Sequence, residues 1–386
     1  MMEAASPFLN TYKRFPVTFL RGEGVHLFDT AGKEYLDLLA GIAVVSIGHA
    51  HPKLAKAIAT QASQLIHTSN LFSNEPNIQL AAKLTSLVDG TFRVFFSNSG
   101  TEAIECAIKF ARKAAAGKRS TVVCAERSFH GRTLAALAAT GQPQKWKGFE
   151  PLPAGFVHAR FNDLKHFEES IDDSTCAVLL EPIQGEGGVY PATLEFLAGI
   201  RKLCDERGAL LLFDEIQSGC GRTGSWFSWQ QLGARPDVFV TAKGLGGGFP
   251  IGCCLVSHEL SHHFQPGDHG STFGGGPLAS AAALTVLSVI EEEGLLENSK
   301  EIGALLAEEL QSLPHVLEVR GRGLMLGVQL DSDIAAQVTT QALEMGVIIN
   351  AVASSTLRIT PPLCLSEKDA LHGVSVLGDI LSNIQG

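Results

Sequence analysis

Long runs of one charge sign are missing from this 386-residue chain, which argues against a nucleic-acid footprint and a polybasic membrane patch. No apolar run reaches the length of a membrane span. The opening Met1-Met2-Glu3-Ala4-Ala5-Ser6-Pro7 lacks the charged segment and apolar stretch of an export signal. A cytoplasmic location is therefore the expectation. No Cys-x-x-Cys pair occurs among the eight cysteines (106, 124, 176, 204, 220, 253, 254 and 364), which are scattered, mostly within apolar runs such as Thr121 to Cys124. They read as buried small hydrophobes, with no disulfide framework and no metal site. Repeats, low-complexity tracts and linkers are absent as well.

What is present is 45% apolar residues, only 18% charged residues, 40 glycines and a mean hydropathy of +0.16. That composition describes a compact, glycine-rich, enzyme-like body. The net charge of -10 without charge runs points to small-molecule partners.

Short apolar β-type runs alternate with helical stretches: Arg93 to Phe96, Thr121 to Cys124, Ala177 to Leu180, Leu210 to Phe213, Val238 to Val240 and Gly252 to Val256. Continuous apolar strands separated by helices imply an α/β fold with a mostly parallel sheet covered on both faces. In such sheets ligands collect beyond the carboxyl ends of the strands. The C-terminal part differs. Two helical stretches, about Leu278 to Glu293 and Ser299 to Leu313, precede a hairpin over Val316 to Leu330 and a strand at Thr356 to Thr360. The expected division is an N-terminal segment 1–47 packing with the small domain, a large domain 48–290 and a small α+β domain 291–386.

Phe239 to Ala242 forms an apolar strand that runs into Lys243, and Gly244-Leu245-Gly246-Gly247-Gly248 follows as a turn with few side chains. A lysine held there has its amine at a strand end, with backbone free to approach a flat ligand. Another apolar strand, Ala209 to Phe213, ends in Asp214-Glu215-Ile216-Gln217. An amine and a carboxylate at neighbouring strand ends form the pair that pyridoxal phosphate needs, one for its aldehyde and one for its ring nitrogen. Taken alone, each also reads as a solvated loop residue or a cap.

Ser97-Asn98-Ser99-Gly100-Thr101-Glu102 joins a strand to a helix, and free amides, hydroxyls and a positive dipole end suit a phosphate there. Ordinary capping reads the same way. In Ser128-Phe129-His130-Gly131-Arg132-Thr133, the phenylalanine can lie on a flat ring and the arginine can clamp a carboxylate; core packing and a surface charge are the alternatives. Glu181 to Gly188 places two carboxylates in a loop rich in glycine, and His269 to Gly276 sets hydroxyls in a glycine bed.

Together these blocks, in this order and spacing, resemble the class III, fold type I, pyridoxal-phosphate-dependent aminotransferases, over about Pro16 to Leu363. The resemblance implies that Lys243 carries the cofactor and moves the proton. It implies that Asp214 holds the ring nitrogen, Gln217 bonds the phenolic oxygen and Phe129 stacks on the ring. Ser99, Gly100 and Thr101 are implied to hold the phosphate, helped by Thr272 of a partner subunit, which makes a homodimer the active unit.

For substrates, the resemblance implies that an ω-amine such as N2-acetyl-L-ornithine gives its nitrogen and 2-oxoglutarate accepts it. Arg132 would hold the donor's α-carboxylate and Arg358 that of 2-oxoglutarate. Glu186 would mask Arg358 in the first half and swing away in the second. In Ala40 to Val45, Ile42 offers no hydroxyl to a free α-amine, and an apolar wall suits an acylated nitrogen, which favours acetylornithine or a succinyl analogue over ornithine. Val45, Ile104 and Gly276 stand where related chains are expected to carry asparagine.

Overall fold

The computed structural model describes residues 7–384. At its centre seven strands form one sheet: β1 (Phe92–Ser97), β2 (Thr121–Ala125), β3 (Phe156–Ala159), β4 (Thr175–Leu180), β5 (Leu210–Asp214), β6 (Val238–Thr241) and β7 (Gly252–Ser257), in the spatial order β1-β7-β6-β5-β4-β2-β3. Neighbours from β6 through β5, β4 and β2 to β3 are parallel. Strand β7 runs antiparallel to both β6 and β1. Its apolar run does not reveal that direction, but the connection does: only ten residues separate Thr241 from Gly252, too few for the crossover a parallel neighbour requires.

Burial on both faces explains the composition of these strands. Every residue of β4 and β6 is buried, so polar alternation is excluded and Val, Leu and Phe prevail. The helix Gly100–Ala114 covers one face. Ser99 caps it by accepting from the Glu102 amide at 3.4 Å, and the Glu102 carboxylate accepts in return from the Asn98 amide at 2.8 Å, which satisfies two donors at a helix start. Ala103, Ile104, Ala107, Ile108 and Ala111 are buried as their helical spacing predicts, joined by Cys106 and Phe110. Ile104 is therefore a core residue, fully withdrawn from the cavity described below.

A second sheet is antiparallel, with Val316–Arg322, Met325–Leu330, Thr356–Ile359 and Asn350–Ala353 in that order. The N-terminal strands Phe19–Glu23, His26–Asp29 and Glu34–Asp37 form a third sheet, closed by Val347–Ile348, which pairs in parallel with Leu36 and Asp37. Arg222 fastens the loop after β5 to the C-terminal segment. Its buried guanidinium donates to the Leu324 carbonyl at 3.0 Å and to the Pro361 carbonyl, while its own carbonyl accepts from Ser299 Oγ at 2.9 Å. Burial lowers this guanidinium to about 9.

Candidate active site

Where the parallel strands end, a cavity of about 450 Å³ opens, a size suited to one small ligand. Lys243 and Asp214 both line it. Asp214 pairs in register with Val240, three residues before Lys243, so adjacent strands deliver the two groups to one side of the sheet.

Lys243 stands in an unusual backbone seat. Its φ is +41°, a left-handed value uncommon for a residue with a side chain. The single turn Lys243–Leu245 holds it, with Ser46 Oγ donating to the Gly244 carbonyl at 2.7 Å. A Cβ on Gly246 would lie 1.9 Å from the Phe249 carbonyl oxygen, so only glycine closes this turn. Burial drives the Lys243 amine below its ordinary value and Arg358 adds to the effect, while Glu186, Asp214 and Glu181 pull the other way. The amine is thereby biased toward its neutral, nucleophilic form.

Period-two alternation at the end of β5 separates two adjacent carboxylates. Asp214 faces the cavity. Glu215 turns away into a buried set of donors, accepting from Ser228 Oγ at 2.6 Å and from the Trp229 amide at 2.8 Å. One oxygen of Asp214 accepts from the Ile216 amide at 3.0 Å, and the other meets His130 Nδ1 at 2.8 Å. Because a carboxylate only accepts, Nδ1 carries the proton in this pair. His130 is buried and its Nε2 finds no partner among the described residues. This histidine lies in a block singled out from the sequence, yet its role depends on a through-space neighbour that no spacing reveals.

Phe129 crosses the cavity half-buried, between two cations: Arg132 Cζ lies 5.6 Å and Lys145 Nζ 5.7 Å from its ring centroid. Ser99, Gly100 and Thr101 also line the cavity, and the amides of Gly100 and Thr101 have no intrahelical acceptor. A Cβ on Gly100 would sit 2.7 Å from Ile216 Cδ1. The Thr101 hydroxyl is engaged by Thr133 Oγ1 at 2.8 Å, so backbone amides make up most of this anion cup. Thr272 is exposed and lies outside this cavity, in a neighbouring groove with Asn98 and Ser271.

Beside the cavity, Arg358 is fully buried. It donates to the Glu186 carboxylate, to Gln217 Oε1 at 3.1 Å and to Asn350 Oδ1 at 3.2 Å. Burial pushes the Glu186 carboxyl upward, but the charges of Arg358, Lys243 and Lys145 outweigh it, and the group ends below its usual range. Gln217 lines the cavity, with its amide oxygen already given to Arg358. Val44, rather than Ile42 or Val45, supplies the apolar wall from the N-terminal segment. Ile42 is exposed in this chain because Gly41 and Ala43, both with positive φ, turn it outward.

Glu181 went unassigned in the sequence. Its two oxygens accept from the Phe129 amide at 3.0 Å and the Gly185 amide at 3.1 Å, joining the aromatic wall to the loop that carries Glu186. Burial pushes its carboxyl up to about 7, with Asp214 adding to the rise and His130 opposing it. For an acid raised on folding, the linked stability is full below the unfolded value near 4.5 and is lost as pH rises through about 7. Over that window the wild type should lose roughly 3 kcal/mol relative to Glu181→Gln, which cannot ionise. Urea unfolding of both apo-proteins at about pH 5 and about pH 8 checks this; a stability difference that does not move between the two would count against it.

An amine and a carboxylate at neighbouring strand ends, an aromatic side chain and free helix-start amides line one cavity, a set that suits pyridoxal phosphate on a fold of type I. These residues fit that cofactor in donor type and cavity size. The chain belongs to the aminotransferase class-III family, whose model matches residues 8–381. It is 47% identical to an acetylornithine aminotransferase of Caldanaerobacter subterraneus subsp. tengcongensis, over 98% of each chain. A crystal structure of the N-acetylornithine aminotransferase from Stenotrophomonas maltophilia K279a superposes with a TM-score of 0.84 at 36% identity, covering 96% of both chains. A pyridoxal-phosphate-bound amine transaminase from an uncultivated Pseudomonas species superposes with a TM-score of 0.94 at 27% identity, covering 99% of this chain and 100% of that one. The protein is a pyridoxal-phosphate-dependent transaminase.

Proposed function

We propose that this enzyme moves the ω-amino group of N2-acetyl-L-ornithine to 2-oxoglutarate, giving N-acetylglutamate semialdehyde and glutamate, as a step of arginine biosynthesis. The observation that carries the reading is the buried Arg358 already neutralised by Glu186. A site that takes a carboxylate there in one half-reaction and none in the other needs a cation that can be covered and uncovered.

When bound, pyridoxal phosphate supplies the aldehyde that exchanges nitrogen and a ring that withdraws electrons. Lys243 would hold that aldehyde, and its amine, once free, would carry the proton at the substrate carbon. Asp214, oriented by His130 and the Ile216 amide, would keep the ring nitrogen protonated. Gln217, its amide oxygen taken by Arg358, would offer its amide nitrogen to the phenolic oxygen. Phe129 would lie against the ring, and Ser99, Gly100 and Thr101 would hold the phosphate. Arg132 takes the donor's α-carboxylate. In the second half Glu186 swings off Arg358, which then binds 2-oxoglutarate.

A homodimer is part of the proposal, with Thr272 reaching the partner's phosphate site. The exposed Ile66, Leu71, Phe72 and Phe273, the last adjacent to Thr272, support it. A cytoplasmic location is proposed too. Its support is that all eight cysteines are unpaired and seven of them are buried. No helix among the described residues is long and apolar enough to cross a membrane.

Val44 gives a free α-ammonium no acceptor, and an uncompensated polar group costs about 1–3 kcal/mol. Acetylornithine should therefore exceed ornithine in kcat/KM by about 10- to 100-fold. The test is one preparation, sedimented to establish a dimer and assayed with acetylornithine, ornithine, 4-aminobutyrate and glutamate-1-semialdehyde. Ornithine as the best donor, or activity in a sedimenting monomer, would overturn the corresponding part of the reading.

A further inference from the structure

We propose that Arg320 is a positioning residue for the exchange at Arg358: it fixes the backbone of the loop that carries Glu186 to the C-terminal sheet, so that Glu186 gives way to a substrate carboxylate by moving its side chain over a loop that stays in place. This rests on the exchange proposed above and deepens it.

Sequence alone makes that loop loose. Glu186 lies in Gly185-Glu186-Gly187-Gly188, and glycine loses more conformational freedom on ordering than any other residue. The stem beneath it is a two-stranded ribbon, Ile183–Gln184 against Tyr190–Pro191, which is marginal by itself. Yet Gly185, Gly187, Gly188 and Val189 are buried, and Gly188 and Val189 hold φ values of +116° and +54°. A β-branched residue keeps such a value only where its surroundings impose it.

The restraint comes from the C-terminal sheet. Arg320 donates twice to the Gly188 carbonyl, from Nε at 3.0 Å and from Nη2 at 2.7 Å, and its Cζ lies 3.9 Å from the centroid of the Tyr190 ring. Its other contacts are Glu318 Oε2 at 2.9 Å and Gln329 Oε1 at 3.4 Å. A second arginine, Arg127, donates to the Gly187 carbonyl at 2.7 Å. Arg127 is exposed and Arg320 is buried, so Arg320 is the stronger anchor.

Register explains why two arginines of one sheet meet one loop. Arg320 pairs with Gly327, and Gly327 with Arg358, on adjacent strands, so the three stand in one row on one face. A Cβ on Gly327 would lie 2.8 Å from Val189 Cβ and 3.0 Å from the Gly188 carbonyl oxygen. The loop therefore rests on Gly327, with its backbone held by Arg320 and its Glu186 carboxylate by Arg358. One grip is on a neutral carbonyl inside the fold; the other is on a charge that a ligand carboxylate can replace.

Without the hold of Arg320, Glu186 must bring its loop to order each time it covers Arg358. That entropy weakens the cover. A ligand whose carboxylate displaces Glu186 then binds more tightly, and one that needs Arg358 covered binds more weakly.

The test compares holoenzymes of the wild type, Arg320→Met and Arg320→Lys. The probe is glutarate, which has the two carboxylates of 2-oxoglutarate without its reactive carbonyl. In Arg320→Met, spectral titration should show the Kd of glutarate falling about fivefold while the KM of acetylornithine rises about fivefold. Arg320→Lys keeps one donor for the Gly188 carbonyl and should lie between, and it gives the same reading if the methionine variant does not fold. In a Glu186→Gln background, where the cover is already weakened, the same substitutions should move glutarate less than about twofold. A merely structural arginine would weaken both ligands. Parallel weakening, no shift in either variant, or a shift undiminished in Glu186→Gln overturns the inference and leaves the proposed function standing. A Glu186→Gln enzyme that binds glutarate no differently from the wild type, or a wild type inactive with acetylornithine, overturns the exchange on which the inference rests.

Discussion

Replacing Lys243 with alanine should reduce turnover about ten-thousand-fold and leave a protein that no longer turns yellow with its cofactor. General acid-base catalysis by a positioned side chain contributes about 10²- to 10⁴-fold, and in the proposed mechanism the same amine also makes the covalent attachment. The seat itself argues for a dedicated residue. A φ of +41°, a turn that admits only glycine at 246 and an amine lowered by burial are costly features that stability alone does not explain. Loss of fold is separable from loss of chemistry. The variant removes a buried amine that is disfavoured in its charged form, so the apo-protein's melting temperature should hold or rise. Small primary amines added to the solution should restore part of the proton transfer. A Lys243→Ala enzyme that still turned over near the wild-type rate would remove the basis of the mechanism.

Arg358→Ala should separate the two half-reactions. Breaking one side of a buried ion pair costs about 3–5 kcal/mol, so the step with 2-oxoglutarate should slow about a thousand-fold. The first half, in which Arg358 is covered by Glu186, should change less than about tenfold. The asymmetry is the informative part: a merely structural arginine would slow both halves together. Single-turnover measurements with acetylornithine and then with 2-oxoglutarate read the two steps independently. Equal slowing would show that Arg358 holds the site together and does not select the acceptor.

Much of this site was legible before any coordinates. Lys243, Asp214, Phe129 and the Ser99 to Thr101 cup each follow an apolar run, and strand ends are where an α/β sheet collects its ligands. Apolar periodicity placed the helix after Ser99 and most of its buried face. The pairing of Glu186 with Arg358, implied by family resemblance, lies 172 residues apart in sequence yet forms one contact in space. The role of His130 was not legible: a histidine between phenylalanine and glycine reads equally well as core until Asp214 is found against it. Glu181 was hidden for a related reason, since its partners are backbone amides, which every residue possesses. The apolar wall that the sequence points to at Ile42 belongs to Val44, because three positive-φ residues, Ala40, Gly41 and Ala43, turn the side chains from the faces a regular element would give them.

Facing completes the division. By itself the sequence determined that there would be a buried sheet, where its strands would end, and which amine, carboxylates, hydroxyls and arginines would be available there, since apolar runs and turn residues act over a few neighbours. Only the tertiary structure decided that Asp214 and not Glu215 faces the cavity, that His130 and Glu181 brace it, and that Arg132 and Lys145 both stand near the Phe129 ring. Those outcomes depend on which distant segments meet when the chain closes on itself, and packing and charge settle them across space.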